Sequence, residues 1–167
     1  SWHYLLLIVA ADSALNIWPL SLRWKEEGHD MAMDEVVFVA AAFLVGPAEL
    51  LIGITAATFV SDWRRRLGFL KLMFNFGERT TTCAIGLLVA SLVGGSPLPL
   101  NVGPRGFAAV AVGAATFFAC SVIWVRIVIS LSSGVPYRRV ARDSQMLARL
   151  VAGVGISLGM LVAAAMS

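Results

Sequence analysis

Residues 61–93 read SDWRRRLGFLKLMFNFGERTTTCAIGLLVASLV. The stretch opens on Arg64, Arg65 and Arg66, with Lys71 close behind, and then enters an apolar segment that carries Asn75, Glu78 and Arg79. Loops rich in Lys and Arg beside a membrane span stay on the cytoplasmic side. Ionisable groups inside a span are costly to hold there and mark a specific task. One stretch therefore sets an orientation and offers a candidate polar site.

Composition extends that reading to the whole chain. Of 167 residues, 59% are hydrophobic and only 14% charged, and the mean hydropathy is +0.83. A soluble domain is nearer half apolar and a quarter charged. The chain reads as one all-α unit, 1–167, a polytopic helical membrane bundle. About five spans are expected, at 4–20, 35–63, 68–93, 106–131 and 144–166. The net charge of +3 is best read by location. Residues 61–71 and 132–149 are both basic, whereas 21–35 carry Glu26, Glu27, Asp30, Asp34 and Glu35 against Arg23 and Lys25. That pattern fits membrane sidedness rather than nucleic-acid binding.

The first span, YLLLIVAADSALNIWPL, places Asp12 and Asn16 at i and i+4 on one helix face, which should point into the bundle. Trp2, Trp18 and Trp24 suit interfacial belts. Residues 21–34 form a polar loop containing His29, a solvated histidine or a pH sensor. His3 has nothing beside it with which to hold a metal. Residues 35–60 form one apolar run interrupted at Gly46-Pro47. As a single helix it would reach about 39 Å against a hydrocarbon core of about 30 Å. Pro47 removes a backbone donor and disfavours helix at the residue before it, so the second span is expected to be broken there. Glu49, just past the break, is either a first-turn acid complementing the helix dipole or a site residue.

In the third span, Thr80, Thr81 and Thr82 can bond to their own helix or to a neighbour. Residues 94–105, GGSPLPLNVGPR, mark a loop. The fourth span has one charge, Arg126, which can snorkel to the interface or pair with Glu49 or Glu78. In the last span Gly155 and Gly159 form a GxxxG, with Gly153 beside it, and should pack closely on another helix. With the basic loops 61–71 and 132–143 cytoplasmic and 35–63 taken as one crossing, the N-terminus falls inside; two crossings there would flip it. The N-terminus shows neither an initiator Met nor a signal-peptide pattern, which suggests a piece of a longer chain.

No catalytic constellation is present: there is no H-E-x-x-H, G-x-S-x-G, P-loop or Rossmann glycine pattern. Cys83 and Cys120 have neither metal spacing nor a disulfide framework and read as small packing residues. A non-enzymatic protein without metal or cofactor is expected. What remains is an intramembrane polar set: Asp12, Asn16, Glu49, Asn75, Glu78 and Arg79. Asn75, Glu78 and Arg79 share a helix face. Neighbours such as Glu78 and Arg79 diverge by about 100° around a helix, so each is expected to find a partner on another helix, Glu49 first for Arg79 and Asp12 second. The set is either a ligand or proton site or a brace that fixes helix register.

The run FLVGPAELLIGITAATFVSDWRRRLGFLKLMFNFGERTTTCAIGLLVASLVGG resembles the N-terminal membrane region found ahead of GGDEF, EAL or HD-GYP domains in actinobacterial and related signalling proteins. The shared marks are the Gly46-Pro47 step, Asp62 followed by Arg64 to Arg66, the Phe74-Asn75 dipeptide, and the Gly134-x-Pro136 turn with Arg138 and Arg139. The resemblance covers 34–142 and lacks the output domain. It implies a sensory input module in a bacterial cytoplasmic membrane, coupled to a cytosolic output. A looser similarity links the chain to substrate-binding subunits of energy-coupling-factor vitamin transporters. The expected function is thus a membrane sensor of a small ligand or of membrane state. The alternatives are an accessory subunit of a larger complex, or a transporter substrate subunit. The expected partners are the lipid bilayer and other membrane helices.

Overall fold

The computed structural model describes residues 2–17, 20–24, 27–31, 34–96, 98–141, 153, 156–161 and 164–165. Apart from one two-stranded hairpin, the regular elements described are helices: α1 (Trp2–Ile17), β1 (Leu20–Trp24), β2 (Glu27–Met31), α2 (Asp34–Ala41), α3 (Pro47–Arg64), α4 (Phe69–Gly94) and α5 (Pro104–Ser133). Residues 156–161 are also helical. The fold class is all-α, as the composition and the long apolar segments imply. By length and composition, α5 is long and apolar enough to cross a membrane.

The punctuation of the helices follows local chemistry. Proline occupies the first turn of α3 and of α5, where its missing N–H would have no intrahelical partner anyway. Gly95 and Gly134 end α4 and α5 at φ +73° and +70°, left-handed positions that a residue without a Cβ occupies at least cost. α3 ends differently. Arg66 has φ +54°, its N–H donates to the Trp63 carbonyl, and the Leu67 N–H donates to the Asp62 carbonyl. This is a Schellman closure with arginine where glycine is usual.

α3 and α4 are antiparallel: Asp62 of α3 meets Asn75 of α4, while Pro47 and Ala48 lie beside Leu87, Leu88 and Ser91. α4 and α5 are antiparallel and cross closest at Gly86 and Gly113. A Cβ at Gly86 would stand 2.9 Å from the Gly113 carbonyl oxygen, and one at Gly113 would stand 2.7 Å from that of Gly86. Two glycines thus let the backbones touch.

First, the break expected at Gly46-Pro47 is present, between α2 and α3, and the two pieces run in opposite directions. Phe38 of α2 stacks on Phe117 in the middle of α5, Phe43 packs on Phe107 near its start, and the Leu100 N–H donates to the Ala42 carbonyl. α2 therefore runs antiparallel to α5, and so to α3; the chain reverses through residues 42–46. With eight residues, about 12 Å, α2 begins about one turn beyond the level of Phe117, which Phe38 meets, and runs toward the loop end. Second, the segment read as a polar loop contains a regular antiparallel pair, with Leu20 opposite Met31 and Trp24 opposite Glu27. Leu20, Leu22 and Trp24 alternate with polar residues, a strand period obscured by the charges around it. Third, Gly153 is exposed, with nothing within 4 Å of a Cβ placed there, whereas Gly159 is buried against Val39 of α2. Gly155 lies outside the described residues.

The core collects Phe38, Val39, Ala42, Val45, Leu50, Ile54, Cys83, Leu87, Val110 and Phe117, with Ile156 and Met160 packed against it. The short α2 is thus enclosed by α5 and the final helical segment.

Candidate functional site

The buried polar groups lie in two places. The first is the end of the α3–α4 pair nearest the arginine cluster, here called the basic end. Asp62 is buried on the inward side of α3, and its Oδ2 accepts a hydrogen bond from Asn75 Nδ2 at 2.9 Å. This ties α3 to α4 across their connecting turn. Between one and two turns deeper, the hydroxyls of Thr55 and Thr80 stand 3.4 Å apart, and each also donates to a carbonyl of its own helix. Asp62 entered the sequence reading only as the acid that precedes the arginines, not as a site residue. Its distance from Asn75, thirteen residues across a turn, left no periodic signal.

The second place is the middle of the bundle. Glu78, Thr82 and Gly86 follow one another at intervals of four on α4, hence along one stripe, and Gly86 fixes that stripe against α5. Glu78 is 9% exposed. Its Oε1 has no hydrogen-bond partner among the described residues, and Oε2 stands 3.8 Å from Arg79 Nε. Adjacent residues thus do approach, against the sequence expectation: the side chains are long enough to offset the divergence of their Cβ directions. At 3.8 Å the contact is an ion pair without a hydrogen bond.

The Arg79 guanidinium carbon sits 5.7 Å from the centre of the Phe117 ring, a cation–π distance, and Phe117 is stacked on Phe38 with 5.3 Å between centroids. Arg79 on α4, Phe117 on α5 and Phe38 on α2 therefore form one column. Asp12 of α1 is wholly buried, and Asp12 and Arg79 both act electrostatically on the buried Cys83 thiol. The expected polar set is thus divided. Asp12, Glu78 and Arg79 share the mid-bundle region, and Asn75 belongs to the basic end. The Asn16 side chain lies outside the described residues, as does that of His29.

Glu49 is elsewhere again. It accepts a hydrogen bond from the Gly46 N–H at Oε2, 3.3 Å, and so closes the first turn of α3 as a capping acid. On the antiparallel α3–α4 pair it is level with about Gly86, about 10 Å along the axis from Arg79. Glu49 as first partner of Arg79 is accordingly replaced by the neighbouring Glu78 and by the Phe117 ring.

Two surface grooves lie among the described residues. One, of about 310 Å³, is lined by Pro47, Ala48, Leu51, Ala84, Leu87, Leu88, Ser91 and Leu98. The other, of about 240 Å³, is lined by Phe59, Val60, Trp63 and Arg64. Among the described residues no group of three or more His, Cys, Asp or Glu is placed to hold a metal ion. No protein-family model matches the chain, and no curated protein or solved structure matches it either.

Proposed function

We propose that the chain is a multi-pass helical input module of a bacterial cytoplasmic membrane, non-catalytic, whose mid-bundle polar site biases the packing of its helices. The reading is supported first by surface chemistry. α3 exposes Ile52, Phe59, Val60 and Trp63, and α4 exposes Ile85, Leu88, Leu92 and Val93, an apolar surface that suits acyl chains and would be a liability in water.

One observation carries the site: Glu78, buried with an oxygen left without a hydrogen bond among the described residues. A buried carboxylate in that condition is costly and calls for a proton, a cation or a ligand donor. Next to it, Arg79 rests on the Phe117–Phe38 column, so a change at Glu78 reaches α5 and the half-length helix α2 through direct contacts. Two packings that differ in affinity at the site are all that coupling requires. The resemblance to membrane input regions of signalling proteins agrees with this role.

Spin labels at the exposed positions 63 and 137, in a protein whose two cysteines are replaced by alanine, test it in lipid nanodiscs. The expected result is a two-component distance distribution whose weights change in Glu78→Gln. A single distribution, identical in the wild type and the variant, would reduce the mid-bundle polar set to a brace.

The last part of α5 favours a second reading. Ile123, Trp124, Val125, Ile127, Ile129 and Leu131 are all exposed, so this segment presents apolar side chains around most of its circumference, with Arg126 and Ser130 on the remaining face. An accessory subunit would bury it against a partner helix. Native mass spectrometry from mild detergent separates the readings, because an accessory subunit leaves the membrane with stoichiometric partners.

A further inference from the structure

We propose that the basic end holds an anionic phospholipid, with its phosphate at the exposed cluster of Arg64, Arg66 and Lys71 and an acyl chain in the groove on α3. The proposal rests on the reading of α3 and α4 as membrane-spanning. Four features meet there.

The exposed stripe of α3 ends in the 240 Å³ groove of Phe59, Val60 and Trp63, and Arg64 lines the same groove. Phe59 and Trp63 stack with centroids 5.9 Å apart, forming an aromatic wall of the kind that settles at the level of lipid headgroups. Arg64, Arg66 and Lys71 are all exposed. The nearby acid, Asp62, is turned inward onto Asn75 and does not neutralise that surface. α4, 26 residues long, begins at Phe69 behind Gly68, which gives it no side-chain cap. Its first N–H groups and the positive end of its dipole therefore add to the positive potential of the basic end.

The fourth feature is Arg66. A left-handed arginine costs more than the glycine that usually closes such a helix. That position, two residues past the groove-lining Arg64 and two before the uncapped Gly68, carries an exposed positive charge where glycine would carry none. The ligand chemistry is therefore a diester phosphate with an attached acyl chain. A zwitterionic lipid offers the same chain but no net charge.

Brominated acyl chains quench nearby tryptophan, and Trp63 lies in the groove, so nanodiscs of mixed phosphatidylcholine and phosphatidylglycerol, with bromine on one lipid or the other, provide the test. Subtracting the signal of Trp63→Phe isolates residue 63 from the other tryptophans. Brominated phosphatidylglycerol should quench Trp63 more strongly than brominated phosphatidylcholine. Arg66→Gly and Lys71→Gln should each weaken that preference about five-fold, and Arg66→Gly should melt at the same temperature as the parent or higher. Equal quenching by the two lipids, or an unchanged preference in the Arg66→Gly/Lys71→Gln double variant, would overturn the site while leaving the bilayer reading intact. Absence of quenching by either lipid would overturn both.

Discussion

Asn75 Nδ2 donates to Asp62 Oδ2 across 2.9 Å, and the two residues close the α3–α4 hairpin from within. Asp62 is buried while the arginines that follow it are exposed. The bond therefore separates an inward acid from an outward cationic surface. Removing Asn75 leaves a buried carboxylate oxygen without its donor. Asn75→Ala should lower stability by about 1.5–3 kcal/mol, the range for hydrogen bonds to charged groups. Asp62→Asn, which can keep a hydrogen bond, should cost less. Thermal unfolding in one detergent checks the order of the two.

The Gly86–Gly113 contact leaves no room for a methyl group on either side. Gly86→Ala and Gly113→Ala should each destabilise by about 1–3 kcal/mol through overpacking. Because both act on the same crossing, their effects should fall short of additivity in the double variant. Urea or thermal unfolding of the four proteins closes the cycle.

Glu78 and Arg79 should respond asymmetrically. Glu78→Gln removes a buried charge and should change stability by less than about 1 kcal/mol. Arg79→Leu strands the Glu78 carboxylate and should cost about 3 kcal/mol. Adding Glu78→Gln to Arg79→Leu should recover part of that loss. A larger cost for Glu78→Gln than for Arg79→Leu would contradict the arrangement.

Cys83 is fully buried at the centre of the bundle, whereas Cys120 is half-buried on α5. A maleimide should modify Cys120 in the folded protein and Cys83 only under denaturing conditions, as counted by intact-protein mass. Modification of Cys83 at the native rate of Cys120 would place it at the surface instead.

Much of the helical layout was legible because its signals are local. Pro47 and Pro104 open helices, Gly95 and Gly134 close them, and the Gly/Pro-rich stretch near 94–105 separates α4 from α5. Direction was not legible. Gly46-Pro47 announces an interruption, but whether the chain continues or turns back depends on where Phe38 and Phe43 find their aromatic partners on α5, more than sixty residues away. Pairing across helices was hidden for the same reason: Asp62 and Asn75 meet only after the Schellman turn at Arg66 is made. The glycine pattern of the last segment shows the limit of motif reading, since Gly153 and Gly159 look alike in sequence while only Gly159 meets Val39. The Glu78–Arg79 contact was missed because helical wheels describe Cβ directions and ignore the reach of long side chains.

The touching backbones at Gly86 and Gly113 have a mechanical consequence. Helices pinned at one level, about two-thirds of the way along α4 and one-third along α5, cannot separate there, so their permitted relative movement is a scissoring about that pivot. A swing that carries the Asn75 end of α4 to one side carries the end beside Leu100 to the other. The bundle thus has the geometry of a lever, with Glu78 and Arg79 on one arm and the reversal of the chain at residues 42–46 beside the other.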